Sequence, residues 1–262
     1  MFKSENQEYP DVMNDRATYV LQNFPRGARE ERGASPDHPA RNEPGIEEYR
    51  SRFASRLKAE RYALRFEHGS RKRINTSERK ALAGILSRLG RSGSILDVPC
   101  GAGRFLDLLD RHSDVVIEAD VSAEMMAYSR ERNRQLSGTC RFIQADASSL
   151  PLQDNSVDRV FCNRLLHHLE SASERALVLK ELYRIVRKDL IVSFFDYRSF
   201  GPLRQCLKRL KGRKSNYRNH PSRIEFFHEA ERQGFRLQYV APVGLPWNAE
   251  KYVVLAKDKP GN

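Results

Sequence analysis

An apolar segment that runs directly into small residues is the part of the chain best suited to bind a ligand. It reads ILDVPCGAGRF and spans residues 95–105. Asp97 ends the apolar part, Gly101 and Gly103 let the backbone approach a ligand, and a helix start would supply unpaired N–H groups. Nicotinamide enzymes and ordinary tight turns also use such glycines, so this segment alone leaves the ligand open.

Acidic residues end the next two apolar segments. Asp120 lies about 17 residues after Gly103, where a carboxylate can accept hydrogen bonds from both hydroxyls of a ribose. Glu118 lies on the same strand face and is the alternative ribose ligand. Asp146 ends the third segment and could accept a hydrogen bond from an adenine amino group. These spacings favour a site for an adenine nucleoside.

In this order the segments resemble the class I S-adenosylmethionine methyltransferases, especially the broad group that includes the ubiquinone and menaquinone biosynthesis C-methyltransferases. LDVPCGAGRF resembles the family's first motif, EADVSAEMM its ribose motif, and FIQADASSLPLQDNSVDRVFCNRLLHHL its adenine motif and fourth strand. The resemblance covers roughly residues 94–197 and, more loosely, 222–257. It implies S-adenosylmethionine as cofactor. It also implies contacts to the methionine part from Asp97, Gly101 and Gly103, to the ribose from Asp120, to the adenine from Asp146 and Ala147, and a methyl-transfer face lined by Asn163.

The chain departs from the family pattern at two turns. Pro99 replaces the commonest first glycine of the glycine-rich turn, and proline has a restricted φ and no N–H. The turn must therefore tolerate both the fixed φ and the missing N–H. Before the fifth strand, residues 187–189 read Arg-Lys-Asp where the family has a Pro-Gly turn.

A sulfonium is an activated methyl donor, so a base is needed only where the acceptor must lose a proton. His167 and His168 are the candidates, because neutral imidazole is a base near pH 7 and the family's active site opens beside this segment. Asp196, at the end of the fifth strand, is another. Packing or capping would explain either histidine equally well. Adjacent side chains on a helix point about 100° apart, so we expect at most one histidine to face a substrate.

Short apolar runs that alternate with helical stretches predict the elements that hold these residues. The expected fold class is α/β: a Rossmann-like doubly wound sheet, mostly parallel with an antiparallel last strand, plus N-terminal helices. Asn75 and Glu78 look like the capped start of one such helix, which ends at Gly90. Tyr62 and Phe66, in a helix ahead of the first strand, either cover the cofactor or pack on the sheet, and we favour packing.

Composition divides the chain into a tail and one domain. Residues 1–44 lack a sustained apolar period and are predicted to be a disordered N-terminal tail, followed by a methyltransferase domain at 45–262. Within that domain, residues 45–92 hold the N-terminal helices and 198–221 form a basic insert or lid. Cations and apolar residues occupy opposite faces of 202–214, which could contact an anionic membrane, although solvated loop charge explains them equally well.

The net charge of +12 predicts attraction to anionic partners without choosing among them. The 4 cysteines form no CxxC pair, so we expect no metal site and reduced thiols in a cytoplasmic protein. No segment resembles a signal peptide or approaches the roughly 18 apolar residues of a membrane span, so the protein is expected to be soluble or peripherally attached to a membrane.

These observations favour a methyltransferase that acts on a small-molecule or lipid-like acceptor at a membrane surface. The alternatives are an RNA methyltransferase, because nucleic acid is also an anionic partner, and a noncatalytic binding protein that keeps the methyltransferase fold. Aromatic residues interleaved with the cations would support RNA binding, and they are sparse in the basic segment.

Overall fold

The computed structural model describes residues 55–136, 140–169, 171–196, 221–245 and 248–257. The predicted tail and nearly all of the basic segment lie outside these ranges. The described α-helices are α1 (Arg56–Leu64), α2 (Gly69–Leu89), α3 (Leu106–Asp110), α4 (Ala123–Arg132), α5 (Ala172–Ile185) and α6 (Arg223–Arg232). The described strands are β1 (Ser92–Asp97), β2 (Ser113–Asp120), β3 (Cys140–Gln144), β4 (Val157–Cys162), β5 (Val186–Phe195), β6 (Phe235–Pro242) and β7 (Glu250–Lys257).

The strands form one sheet in the order β3-β2-β1-β4-β5-β7-β6. The first five pair in parallel, and β7 pairs antiparallel with both β5 and β6. This confirms the prediction of a Rossmann-like, mostly parallel sheet with an antiparallel end. The chain reverses its direction across the sheet between β1 and β4, and in such folds ligands bind at the carboxyl ends of the strands at this point.

Helices cover the sheet because their apolar residues recur at helical spacing. In α2 the buried apolar residues are Leu82, Ile85 and Leu86, and they join the core beneath β1 and β4. Phe161 of β4 lies between Phe105 and Tyr252, with ring centroids 5.0 and 5.7 Å apart in edge contacts. Such contacts stabilise a core beyond the area that they bury.

The start of α2 differs from the prediction. The helix begins at Gly69, so Asn75 lies inside it and is not the N-cap. Glu78 is fully buried and bonds to the side chains of two arginines from other elements, Arg104 and Arg164. The Asn75–Glu78 spacing is that of a capping box, but Arg104 holds both residues, because it donates to Asn75 Oδ1 at 2.8 Å and pairs with Glu78 at 3.0 Å. The predicted end at Gly90 agrees with its φ of 75°.

Two further boundaries differ from the sequence pattern. Helix α3 begins at Leu106, three residues after the expected start at Gly103, because the turn around the glycines continues that far. The three residues 187–189 belong to β5, which follows α5 without a loop. The N-terminal helices, predicted for residues 45–92, end at Leu89, and the last predicted residue, Ser92, is the first residue of β1.

Candidate functional site

A cavity of about 500 Å³ opens beside the glycine turn at the carboxyl ends of β1 and β4. That volume lies within the range of about 300–1,000 Å³ that is typical of small-molecule sites. Four of the predicted site residues line it: Gly101, Asn163, His167 and His168. The cavity therefore brings the glycine turn and the histidine pair to one place.

Asp120 holds the glycine turn in position. Its two carboxylate oxygens accept hydrogen bonds from the backbone N–H groups of Gly101 and Ser122, both at 2.9 Å. Gly101 has a φ of 54°, the left-handed region that favours glycine. Burial raises the pKa of Asp120 although these backbone donors oppose the shift. Contact of Asp120 with a ribose remains a prediction.

Asn163, which lines the cavity, and Asp97, which does not, place unsatisfied acceptors at adjacent strand ends. Both side chains are buried, and Asp97 Oδ1, Asp97 Oδ2 and Asn163 Oδ1 have no hydrogen-bond partner among the described residues. Burial raises the pKa of the Asp97 carboxyl well above its usual value, and the nearby Glu118 raises it further. Buried acceptors without donors are rare in folded proteins and call for an explanation.

Glu118 faces the interior and is held by the protein itself. Its Oε2 accepts a short hydrogen bond from the Ser129 hydroxyl of α4, and the residue is fully buried. Burial raises the pKa of Glu118 to about 7, against the effect of that hydrogen bond. The contact to α4 assigns Glu118 a structural role between β2 and this helix.

Gly103 lies against α4 and is not among the residues that line the cavity. Its φ is 65°, and a Cβ built there would overlap the Ser129 hydroxyl and lie 2.9 Å from both Ser129 Cβ and Asn133 Nδ2. The Asn133 side chain also donates to the Gly103 carbonyl oxygen at 3.4 Å. The two glycines of the turn thus have different neighbours.

Asp146 and Ala147 follow β3, also outside the residues that line the cavity. Asp146 Oδ1 accepts hydrogen bonds from the backbone N–H and the hydroxyl of Ser148, at 2.9 and 2.8 Å. Ala147 is buried. Their proposed contact with an adenine ring remains a prediction.

The histidine pair does not follow the α-helical expectation. His167 and His168 lie on a short 3₁₀ helix, Leu166–His168, and both line the cavity. Their ring centroids are 4.0 Å apart, and His167 also lies 4.5 Å from the ring of Phe195. Both rings thus border the cavity, and the expectation that at most one histidine faces a substrate stays a prediction.

The candidate base Asp196 and a second strand carboxylate, Asp158, lie away from the cavity. Asp196 is buried at the end of β5, 3.9 Å from the Arg223 guanidinium, and is not a cavity residue. Asp158 accepts a hydrogen bond from the Gly93 N–H at 2.8 Å, which joins β4 to β1 as a structural contact.

Tyr62 and Phe66 line the cavity from α1 and the turn that follows it. Tyr62 lies across from Gly101, where a Cβ would come within 3.9 Å of its ring, and packs against the cluster that includes Ala102 and Met125. Packing and covering of a cofactor both remain predictions for this pair. The rings of Tyr62 and Phe66 meet edge to face at 5.4 Å, and the Arg104 guanidinium lies 3.8 Å from the Phe66 ring centroid. The N-terminal segment thus forms one wall of the site.

The cavity is rich in cations that the motifs did not identify. Arg104 and Arg164 lie in its interior, and both bond to Glu78 of α2, at 3.0 and 2.6 Å. Arg164 also pairs with Glu250 of β7 at 2.9 Å. Spacing could not reveal this cluster, because its members come from four separate segments. The further cations at the cavity are Lys58, Arg61, Arg65 and Arg71.

These residues fit S-adenosylmethionine. Its ammonium group could supply donors to the three unsatisfied oxygens of Asp97 and Asn163, and Gly101 lines the cavity without a side chain that would fill it. In the described residues, no group of His, Cys, Asp and Glu side chains could hold a metal ion. Within the same ranges, no helix has the length and apolarity that a membrane crossing requires.

Comparison with known proteins gives the same assignment. Residues 96–194 match the family model described as a methyltransferase domain. The chain is 32% identical over 132 residues to malonyl-[acyl-carrier protein] O-methyltransferase of Pectobacterium atrosepticum, covering 50% of this chain and 49% of that protein. It is 30% identical over 125 residues to a ubiquinone/menaquinone biosynthesis C-methyltransferase of Erwinia tasmaniensis, covering 45% and 48%. The chain thus spans about half the length of these relatives.

A solved structure supports the fold over a longer range. Magnesium protoporphyrin IX methyltransferase of Synechocystis, with bound S-adenosylhomocysteine, superposes with a TM-score of 0.64 at 16% identity, over 82% of this chain and 100% of that chain. At this identity the superposition supports the fold alone. Residues 96–194 of the chain therefore match a methyltransferase domain, and the sheet that contains them has the fold of a solved S-adenosylhomocysteine-bound methyltransferase.

Proposed function

We propose that this chain binds S-adenosylmethionine in the cavity and transfers its methyl group to a small-molecule or lipid-like acceptor. The observation that carries the proposal is the set of buried oxygens without donors on Asp97 and Asn163, at the ends of β1 and β4. A cofactor with a cationic amino group satisfies such acceptors. The glycine turn between them leaves room for its approach.

The bound cofactor would supply an electrophilic methyl group on its sulfonium, so this chain mainly has to position the acceptor in line. Asn163 and the two histidines border the cavity where the acceptor would enter. An imidazole nitrogen of His167 or His168 could take the proton of an acceptor hydroxyl or acidic carbon. The Tyr62 and Phe66 rings would exclude water from that side.

The test is calorimetric binding of S-adenosylmethionine and S-adenosylhomocysteine to the wild type and to Asp97→Asn. Asparagine keeps the shape but removes the charge, so we expect the affinity to fall by about 10- to 100-fold. Because Asp97 has no protein partner among the described residues, the variant should be at least as stable as the wild type. Weaker binding can then not be ascribed to unfolding.

Asp158→Asn is the matched control. Asp158 is also a buried strand carboxylate, but it holds Gly93 at the opposite ends of the strands. Its substitution should lower stability and leave the intrinsic affinity of folded protein for S-adenosylhomocysteine unchanged. Absence of binding to folded wild type would refute the proposal and favour the noncatalytic alternative.

Activity is tested with methyl-labelled cofactor and a panel that begins with lipophilic phenols and quinones. If a histidine is the base, His167→Ala or His168→Ala lowers the rate with acidic acceptors and leaves cofactor affinity unchanged. Transfer to RNA that exceeds transfer to every small molecule would instead support the nucleic-acid alternative.

A cytoplasmic location with peripheral contact to an anionic membrane is part of the same proposal. The contact would involve residues 202–214, which lie outside the described ranges. We expect vesicles with anionic lipid to cosediment the wild type more than a variant with Lys208→Glu, Arg209→Glu and Lys211→Glu. Equal sedimentation of the two would refute this contact.

A further inference from the structure

Three arginines that precede the matched methyltransferase domain line the mouth of the cavity. Arg61 belongs to the last turn of α1, Arg65 follows that helix, and Arg71 lies in the first turn of α2. All three side chains are exposed. Two helices and the turn between them thus direct their cations to one opening.

The interior arginines differ from these three because protein carboxylates already pair with them. Arg104 and Arg164 share Glu78, and Arg164 has a second partner in Glu250. These pairs lie mostly out of contact with solvent, where a charge needs a partner. The interior cluster therefore needs no ligand to balance it.

The outer three arginines form no ion pair with any residue in the described ranges. Their like charges act on one another: burial lowers the pKa of Arg71, and the neighbouring Arg65 and Arg164 lower it further. Like charges at one opening repel, so an arrangement of this kind favours a bound anion. Guanidinium groups bind carboxylate and phosphate oxygens in pairs of hydrogen bonds.

The cofactor leaves most of this charge unbalanced. S-adenosylmethionine has one carboxylate but also an ammonium and a sulfonium, so its net charge at neutral pH is positive. One carboxylate could engage one of the three guanidinium groups, and the others would still lack an anion. The aromatic wall of Tyr62, Phe66 and the histidine pair would at the same time contact an apolar or aromatic body.

We infer that the methyl acceptor is an organic oxyanion, with a phosphate or carboxylate group that Arg61, Arg65 and Arg71 bind at the mouth of the cavity. This inference rests on the proposed function and narrows its substrate class. The oxyanion is either part of a soluble metabolite or the headgroup of a lipid. The aromatic wall would hold the remainder of the acceptor toward the methyl donor.

The test is calorimetry on protein saturated with S-adenosylhomocysteine, with inorganic pyrophosphate and benzoate as soluble probes. The variant is the triple substitution Arg61→Ala, Arg65→Ala and Arg71→Ala. We expect it to weaken binding of at least one probe by about tenfold or more while its affinity for S-adenosylhomocysteine changes less than about twofold. A parallel arm uses vesicles of phosphatidylcholine with and without phosphatidylglycerol. Vesicle binding that requires the three arginines would identify a lipid headgroup, and probe binding would identify a soluble anion.

The matched control replaces Lys72, Arg73 and Lys80 by alanine. These exposed cations of α2 do not line the cavity, and their loss lowers the net charge by the same amount. The control should bind the probes or vesicles like the wild type. Equal losses in both triple variants would show a diffuse charge effect and overturn the inference.

Two other outcomes would also overturn it. Absence of binding to both probes and to anionic vesicles would show that no oxyanion site exists. Competition between pyrophosphate and S-adenosylhomocysteine, with both affinities lost in the arginine variant, would show that the arginines serve the cofactor. Failure of the wild type to bind S-adenosylhomocysteine is a separate result, because it refutes the proposed function and not the anion site. Titration of the probes without S-adenosylhomocysteine still measures the anion site.

Discussion

Substitution by alanine should affect stability and binding differently at the two glycines of the glycine turn. Gly101 and Gly103 both have positive φ, 54° and 65°, so alanine at either position adopts a left-handed conformation. At Gly101 the new Cβ meets only the Tyr62 ring at 3.9 Å, an ordinary contact. At Gly103 it overlaps the Ser129 hydroxyl and comes within 2.9 Å of Asn133 Nδ2. The pair therefore separates backbone strain from steric overlap.

The expected magnitudes follow from these contacts. The left-handed conformation costs an alanine about 1–2 kcal/mol, which is the whole effect expected for Gly101→Ala on the free energy of unfolding. Overpacking in a dense interior adds about 1–3 kcal/mol, which gives about 2–5 kcal/mol for Gly103→Ala. Ser129 cannot move freely, since its hydroxyl donates to the buried Glu118.

Binding should show the reverse order. The methyl group of Gly101→Ala enters the cavity opposite Tyr62, so we expect it to weaken S-adenosylhomocysteine binding by about tenfold. Gly103 does not line the cavity, so folded Gly103→Ala should bind with an affinity closer to that of the wild type. Gly101→Ala should therefore mainly lose affinity for S-adenosylhomocysteine, and Gly103→Ala should mainly lose stability.

Urea unfolding and calorimetry below the unfolding transition measure the two effects. Ser129→Ala combined with Gly103→Ala provides a third arm, because it removes the overlapping hydroxyl. The double variant should be at least about 0.5 kcal/mol more stable than the sum of the single effects predicts. Equal destabilisation by Gly101→Ala and Gly103→Ala, or purely additive effects with Ser129→Ala, would refute the packing of the turn against α4.

Three further predictions concern buried carboxyl groups. Glu78→Gln leaves Arg104 and Arg164 without their shared anion, so the free energy of unfolding measured in urea should fall by about 3 kcal/mol or more. A fall of less than about 1 kcal/mol would contradict the importance of these ion pairs. Folding raises the pKa of Glu118 from its ordinary 4.5 to about 7, so its contribution to stability is complete below about pH 4.5 and is lost as the pH rises through 7. Between about pH 4.5 and pH 7 the unfolding free energy of the wild type should therefore fall by up to about 3 kcal/mol more than that of Glu118→Gln. Parallel profiles of unfolding free energy against pH would exclude the raised pKa of Glu118. Because burial raises the pKa of Asp97, S-adenosylmethionine should bind more tightly as the pH rises, and its binding should release protons. Calorimetric titrations in buffers of different ionisation enthalpy measure this release. Asp97→Asn should abolish it.

The sequence predicts the elements whose signals are local. Buried strands appear as continuous apolar runs, and the glycine with positive φ at position 90 ends α2 as expected. The Ser-x-x-Glu pattern is a true capping box at α5 and α6, where Ser171 bonds to Glu174 and Ser222 to Glu225. Local hydrogen bonds decide these cases, so a short window of sequence is sufficient.

Long-range contacts decide the cases in which the sequence misleads. The Asn75–Glu78 pattern has the same form, but arginines 26 and 86 residues from Glu78 bond to its carboxylate and draw it into the interior. The 3₁₀ helix of the histidine pair, and the contact of His167 with Phe195 of β5, also depend on parts of the chain that a short window does not include. Gly103 resembles Gly101 in the motif, and only the position of α4 distinguishes their neighbours.

The cavity is lined partly by the matched domain and partly by the segment that precedes it. This division explains why the resemblance to known families identifies a cofactor more readily than an acceptor. The matched domain begins at residue 96, so it includes the glycine turn, Asp97 and Asn163. Tyr62, Phe66 and the outer arginines belong to α1, α2 and the turn between them, before the match begins, whereas the histidine pair lies within it. Relatives that share the first half need not share the second, and their acceptors need not resemble that of this chain. Acceptor selectivity should therefore depend on residues 55–71, whereas cofactor affinity should depend on the strand ends that the motifs mark.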